Sequence, residues 1–391
     1  MNRRTFAMTL AAAAASAYCG SAIGEPVAAR SEGSGYRMPD EGEPHVRTWM
    51  GFTSSRSIWG AELDAVQADL MRIASAIAQF EPVSMLVNGS AMAHAERLRA
   101  AVTHASRIQL VSASLDDLWL RDTGPVFVRR IGQRALRALD FNFNGWGGKQ
   151  SHARDATVAA AIAAQVDIPL ETVRLVLEGG ALEVDGEGSA IIKESCVLNA
   201  NRNPGKAKSE VEQVLKQALG LGRIIWLPGP AGGDITDGHT DFYARFAGPG
   251  RVVVSHDAHD DQGERDITQR HIDVLRKSRD AMGRALALTV IPVPRNPASP
   301  RADSDDFAAG YINYYLCNGG LVMPSFGDTA ADRRARVALQ ALYPARKLVQ
   351  LRIDALAAGG GGIHCATQQQ PASRARVRAG ITPAARHPGT T

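Results

Sequence analysis

Apolar residues fall at Leu63, Val66, Leu70, Ile73 and Ile77. Steps of three and four give a helix one buried face, so the pattern predicts a helix over 62–79. A short apolar run then predicts a strand over 82–87. A helix over 93–104 and a strand over 107–111 repeat the theme. Strands follow at 126–129 and 134–143, a helix at 156–165 and a strand at 173–177. Segments 181–184 and 189–195 flank Asp185-Gly186-Glu187-Gly188, the composition of a hairpin turn. Ser209 and Glu212 have capping-box spacing and Gly220 is a stop signal, which brackets a helix. A strand over 223–227, a hairpin of 310–316 and 321–324 around Asn318-Gly319-Gly320, a helix over 331–342 and a strand over 347–353 complete the set. Helices and hairpins mix without regular βαβ alternation, so the class is α/β with one domain over 36–371. No repeat is visible in the residues themselves.

The two ends differ from this body. Arg3-Arg4-Thr5-Phe6 precedes an apolar run over 7–17. A basic start followed by a short apolar core is the form of an export signal, here of twin-arginine type. The run is too short for a stable membrane span. We expect a leader over 1–24, a linker over 25–35 and export to a bacterial periplasm. At the other end, 372–391 carries Arg374, Arg376, Arg378 and Arg386 among Pro and Gly, the composition of a solvated basic tail.

Charge changes the picture once it is divided. The whole chain is +4, but 1–35 holds three Arg and two Glu and the tail holds four Arg, which leaves −1 for 36–371. A near-neutral body argues against nucleic acid as partner. Cysteine adds a candidate. Outside the leader the chain has Cys196, Cys317 and Cys365, an odd number that leaves at least one free thiol in an exported protein. Cys196 and Cys317 sit in apolar, strand-like runs that read as core. Cys365 directly follows Gly359-Gly360-Gly361-Gly362-Ile363-His364, a stretch that allows close approach by a ligand or another segment.

A thiol nucleophile needs a base, and the base needs a charged neighbour. His239 is a candidate base. On extended backbone Asp241, two residues on, would face the same way. Trp119 and Asp122 could stack on a planar cation and bond its edge; taken alone they read first as a core Trp and a helix- or turn-capping Asp. Glu178, before two glycines, could be a turn carboxylate or a buried acid. Asp234, Asp237, His239 and Asp241 lack the spacing of a metal site. No phosphate-binding loop or dinucleotide fingerprint stands in a strand–helix context.

In order along the chain stand Met38-Pro39, Glu43-Pro44-His45 and Thr48-Trp49-Met50, then Trp119 to Pro125 and Phe143-Asn144-Gly145-Trp146-Gly147. Glu178-Gly179-Gly180, Asn199 to Pro204, Thr236 to Asp241, Asn318-Gly319-Gly320 and Gly359 to Pro371 follow. Together they resemble the agmatine deiminase family, which also holds bacterial peptidylarginine deiminases. The resemblance implies a pentein fold, a five-bladed α/β propeller with a central active-site channel. It implies hydrolysis of a guanidinium group to a urea and ammonia with no metal or organic cofactor. Carried over by position, it makes Cys365 the nucleophile and His239 the general acid/base. Asp122 and Asp241 would hold the guanidinium nitrogens, Glu178 would be a further acid, and Trp119 would line the pocket. The substrate would be a small cationic guanidinium compound, agmatine first, or an arginyl peptide. Amidino transfer, non-catalytic guanidinium binding and cysteine-dependent amide hydrolysis are the competing readings; the oligomeric state is not given by the residues.

Overall fold

The computed structural model describes residues 35–229, 234–304 and 306–373. The leader over 1–24, the linker up to 34 and the tail from 374 lie outside the described residues. Among those described, no helix is long and apolar enough to cross a membrane.

Among the described residues the strands form five separate sheets. Each is built on the same plan: two antiparallel strands, then a helix, then a third strand parallel to the second. In unit two these are Val126–Arg130, Leu136–Asp140 and Leu170–Thr172, with helix Val158–Gln165 as the crossover. Unit three has Leu182–Val184, Ser189–Lys193 and Arg223–Leu227, linked by helix Lys208–Leu219. Unit four has Ala244–Phe246, Arg251–Ser255 and Ala287–Ile291 with helix Gln262–Lys277. Unit five has Tyr315–Cys317, Gly320–Ser325 and Lys347–Arg352 with helix Thr329–Leu342. Unit one is made from both ends of the body. Thr367–Pro371 pairs antiparallel with His45–Phe52, which runs parallel to Val83–Val87 after helix Leu63–Ala78. This is the five-unit α/β plan that the resemblance implies, and the repetition lies in the backbone rather than in the residues.

Local chemistry explains the elements. The hairpin of unit three turns where Asp185 Oδ1 accepts from the backbone N–H of Glu187 and of Ser189, both at 2.8 Å, with Gly186 and Gly188 at positive φ. Gly220 ends its helix in the left-handed conformation (φ 68°). Helix Leu63–Ala78 buries Val66, Leu70, Ile73 and Ile77 in a cluster shared with Leu321, Met323 and Phe326, so it cements unit one to unit five. Each such side chain contributes about 1.5–3 kcal/mol on burial.

Four expectations need correction. Residues 173–177 form no strand; the third strand of unit two comes earlier, at Leu170–Thr172. Val173, Leu175 and Leu177 are buried all the same, so the apolar run marks core packing without a ladder. Ser209 does not cap its helix, which starts at Lys208; Glu210 Oε2 instead accepts from the backbone N–H of Ala207 at 2.7 Å. The predicted strand over 310–316 begins only at Tyr315. Cys196 lies in the short helix Glu194–Val197, not in a strand.

Candidate active site

In every unit the segment leading into the first strand carries polar groups of one site. Cys365 precedes Thr367–Pro371, Asp122 precedes Val126–Arg130, and Glu178 precedes Leu182–Val184. His239 and Asp241 precede Ala244–Phe246, and Asn313 precedes Tyr315–Cys317. A fivefold plan therefore brings residues from 122 to 365 together. Segments of four units (Trp119 and Asp122; His239 and Phe242; Phe307 to Gly310; Gly359 to Gly361 with Cys365) line one cavity of about 800 Å³.

The four glycines have individual reasons. A Cβ on Gly359 would lie 2.1 Å from Trp59, one on Gly361 2.2 Å from Trp119, and one on Gly362 2.4 Å from Asn313 Oδ1, while Gly360 sits at φ 86°. The loop is thus pressed against two tryptophans, whose ring centroids are 6.0 Å apart. That pressure presents Cys365, which is buried but open to the cavity.

Asn313 fixes the nucleophile candidate. Its Oδ1 accepts from the backbone N–H groups of His364 (3.0 Å) and Cys365 (3.3 Å), and its Nδ2 donates to Cys365 Sγ at 3.2 Å. The thiol lies 3.6 Å from Asp241 Oδ2. Burial, with the charges of Asp241 and Asp122, pushes the Cys365 thiol well above its ordinary value.

Asp241 and His239 do not share the extended run expected, because a 3₁₀ turn begins at Thr240. The turn sends them to different partners. Asp241 Oδ2 meets His364 Nδ1 at 2.6 Å, whereas Oδ1 is buried with no partner. His364 Nε2 in turn meets Glu41 at 2.8 Å, and Glu41 also holds Arg121 (3.0 Å) and Arg245 (3.1 Å). Asp241 is buried, but His364, His239 and Arg245 outweigh that and hold its carboxyl below the usual range.

His239 stands between two acids, with Nδ1 3.7 Å from Asp122 Oδ1 and Nε2 3.4 Å from Glu178 Oε2. Burial alone would lower its pKa; Asp122, Cys196 and Glu178 together raise it well above the ordinary imidazole value. His239 and Cys365 share the cavity without a direct hydrogen bond to each other among the contacts described. Glu178 is fully buried, yet its carboxyl is held low by His239 and by Arg202, whose Nε donates to Oε1 at 2.8 Å. Asp122 is raised by burial and by its acidic neighbours, partly offset by His239. Both its oxygens already accept, from Trp146 Nε1 and from the backbone N–H of Gly180, each at 3.0 Å. Trp146 reaches Asp122 from a left-handed backbone (φ 55°), costly for a Trp.

The six predicted site residues therefore converge. Asn313, His364, Trp146, Arg202 and Cys196 were not among them. Asn313 had left a trace, as the lone amide in Tyr311-Ile312-Asn313-Tyr314-Tyr315.

Residues 37–371 match the family described as Porphyromonas-type peptidyl-arginine deiminase. The chain belongs to that family. It is 37% identical to a putative agmatine deiminase of Legionella pneumophila, over 88% of this chain and 97% of the relative. An agmatine deiminase of Pseudomonas aeruginosa is also 37% identical, over 87% and 96%. The solved agmatine deiminase of Enterococcus faecalis superimposes with a TM-score of 0.80 at 31% identity, covering 87% of this chain and 97% of that one. In this member of the peptidyl-arginine deiminase family the buried acids, the thiol and the imidazole described above are carried on one five-unit α/β framework.

Proposed function

We propose that the chain hydrolyses the guanidinium group of agmatine to N-carbamoylputrescine and ammonia through a covalent intermediate on Cys365. The observation that carries this is Asp241, whose Oδ2 lies 3.6 Å from the Cys365 thiol while its Oδ1 is buried without a partner. A buried lone oxygen is costly to leave unpaired, and a guanidinium N–H answers it. Agmatine is favoured by the names of the relatives and by their coverage of this chain.

In this reading Asp241 and Asp122 hold the planar cation, which fixes its central carbon near Sγ. The incoming positive charge offsets the carboxylates that keep Cys365 protonated, so when substrate is present the thiol gives its proton to water and becomes the thiolate. Sulfur attacks the guanidinium carbon to give a tetrahedral adduct. Protonated His239 gives its proton to the departing nitrogen, which leaves as ammonia. The now neutral imidazole takes a proton from water, the resulting hydroxide adds to the same carbon, and the C–S bond breaks as the added hydroxyl gives its proton to sulfur, which releases the neutral ureido product and restores the Cys365 thiol. Glu178, kept ionised by Arg202, and Asp122 keep His239 protonated between turnovers. Trp119 covers one side of the pocket.

A second reading, arginyl peptide as substrate, is supported by the cavity itself. About 800 Å³ is the volume of a pocket for a much larger molecule than agmatine. Export to the periplasm under the 1–24 leader, as we also propose, would place such an enzyme among peptides. Agmatine, free arginine and an arginyl peptide should be compared for ammonia and ureido product, with Cys365→Ser as control. Turnover of agmatine alone supports the first reading and turnover of the peptide the second. No turnover of any, with guanidinium binding retained, would replace both by a binding function.

A further inference from the structure

Behind His239, away from Asp122, lies a group of side chains that the reaction does not use as a set. Cys196 Sγ donates to Glu178 Oε2 at 3.3 Å, and His239 Nε2 lies 3.4 Å from the same oxygen. All three donor atoms lie within 4.8 Å of one another and all three residues are buried. We infer that Cys196, His239 and Glu178 form a binding site for a thiophilic divalent cation such as Zn2+ or Cd2+, and that its occupation switches the enzyme off.

Geometry is the first argument. A tetrahedral zinc ion with sulfur at about 2.3 Å and nitrogen and oxygen at about 2.0–2.1 Å sets its ligand atoms about 3.3–3.6 Å apart. The hydrogen-bonded separations already present, 3.3 and 3.4 Å, fall in that range. The two pairs that share Glu178 Oε2 are thus already spaced for an ion, and the third, Cys196 Sγ to His239, lies within 4.8 Å.

Charge is the second argument. The cation takes the place of two protons, the one on Cys196 Sγ and the one on His239 Nε2. Two protons leave as two positive charges enter, so the buried site keeps its total charge. Glu178 offers Oε2 because Arg202 occupies Oε1, and the Arg202 charge is itself met by Asp237 at 2.8 Å. Three protein ligands leave a fourth position for water.

The route in is the cavity that His239 lines. Its wall carries Asp122, Asp234, Asp257, Asp260, Asp261 and Glu264, which draws cations towards the site. An ion on Nε2 removes the lone pair and the proton that the imidazole needs to act as acid and base.

The test uses the mature full-length protein with Cys365→Ala, so that the nucleophile cannot be the ligand. Titration with Cd2+ is followed by thiolate-to-metal charge-transfer absorption in the ultraviolet. One equivalent is expected to produce the band. Adding Cys196→Ser is expected to weaken binding at least about tenfold, as is adding His239→Asn in a separate variant. Adding Cys317→Ser should leave the titration unchanged. Circular dichroism checks that each variant is folded, and Cys196→Ala replaces Cys196→Ser if the latter is not. A band that is absent in Cys365→Ala, or that survives loss of Cys196, overturns the proposal. The readout needs no turnover, so its failure is separate from failure of the deiminase reading. In the wild-type chain Zn2+ should inhibit reversibly, with relief by chelator, and Cys196→Ser should raise the half-inhibiting concentration about tenfold relative to its own uninhibited rate.

Discussion

Asp241 and His364 are joined by a 2.6 Å contact through Oδ2 and Nδ1, which leaves Asp241 Oδ1 buried and alone. One oxygen is fixed by the protein and the other has no partner; on the function proposed above it is the one that meets the guanidinium. Asp241→Asn keeps the shape but loses the charge and puts an N–H donor in place of one acceptor. A charge-assisted hydrogen bond contributes about 1.5–3 kcal/mol, so kcat/KM for the guanidinium substrate should fall by roughly 10- to 150-fold or more. Steady-state kinetics on the purified variant checks this; a change under threefold would remove Asp241 from substrate binding.

Cys365 faces two carboxylates in a buried setting, and its pKa is accordingly high. The free enzyme should react slowly with iodoacetamide at pH 7, and the rate should keep rising through pH 9 without a plateau. Asp241→Asn should bring the rise to lower pH, because removing a negative neighbour favours the thiolate. A plateau below pH 7 in the wild-type chain would contradict this account.

Gly361 is pressed against the ring of Trp119. Gly361→Ala forces a methyl into that contact and should cost about 1–3 kcal/mol of stability while displacing Cys365. Gly89→Ala, where nothing lies within 4 Å, is the matched control. Urea denaturation and kcat/KM for both variants make the comparison; equal behaviour would mean that the loop yields freely.

Glu41 gathers Arg245, His364 and Arg121. Burial alone would raise its carboxyl, but these partners hold it well below the usual range. A depressed folded-state pKa gives stability that is present above the unfolded value, near 4.3, and is lost as pH falls through the folded one. Glu41→Gln should therefore cost about 3–5 kcal/mol at pH 7. The gap to wild type should close as pH is taken below about 4, which urea titrations at pH 7, 5 and 3.5 would show. A gap independent of pH would mean that Glu41 acts by shape rather than charge.

Much of this was legible in the residues. Helical spacing placed 62–79 within one residue of the observed Leu63–Ala78, and the Asp-Gly-Glu-Gly turn gave the hairpin of unit three. Short-range rules suffice where a single element makes its own signal. They failed at 173–177, where an apolar run packs without pairing, and at Ser209, where Glu210 caps from the next residue. They also gave no elements for unit four, whose helix Gln262–Lys277 buries only Thr268, His271, Ile272 and Leu275, too sparse a stripe to stand out. In the site, residues with a motif of their own could be named. Arg202 and His364 act through partners 24 and 123 positions away, and no local pattern records such distances.

Closure of unit one by Thr367–Pro371 has a consequence in time. The strand that pairs with His45–Phe52 follows Cys365 by two residues, so the proposed nucleophile reaches its neighbours only when the last segment of the body docks onto the first. On the proposed mechanism, a nascent or clipped chain that holds every acid and the imidazole would be chemically silent until then. Ring closure arms the enzyme, and folding acts as its own safety catch.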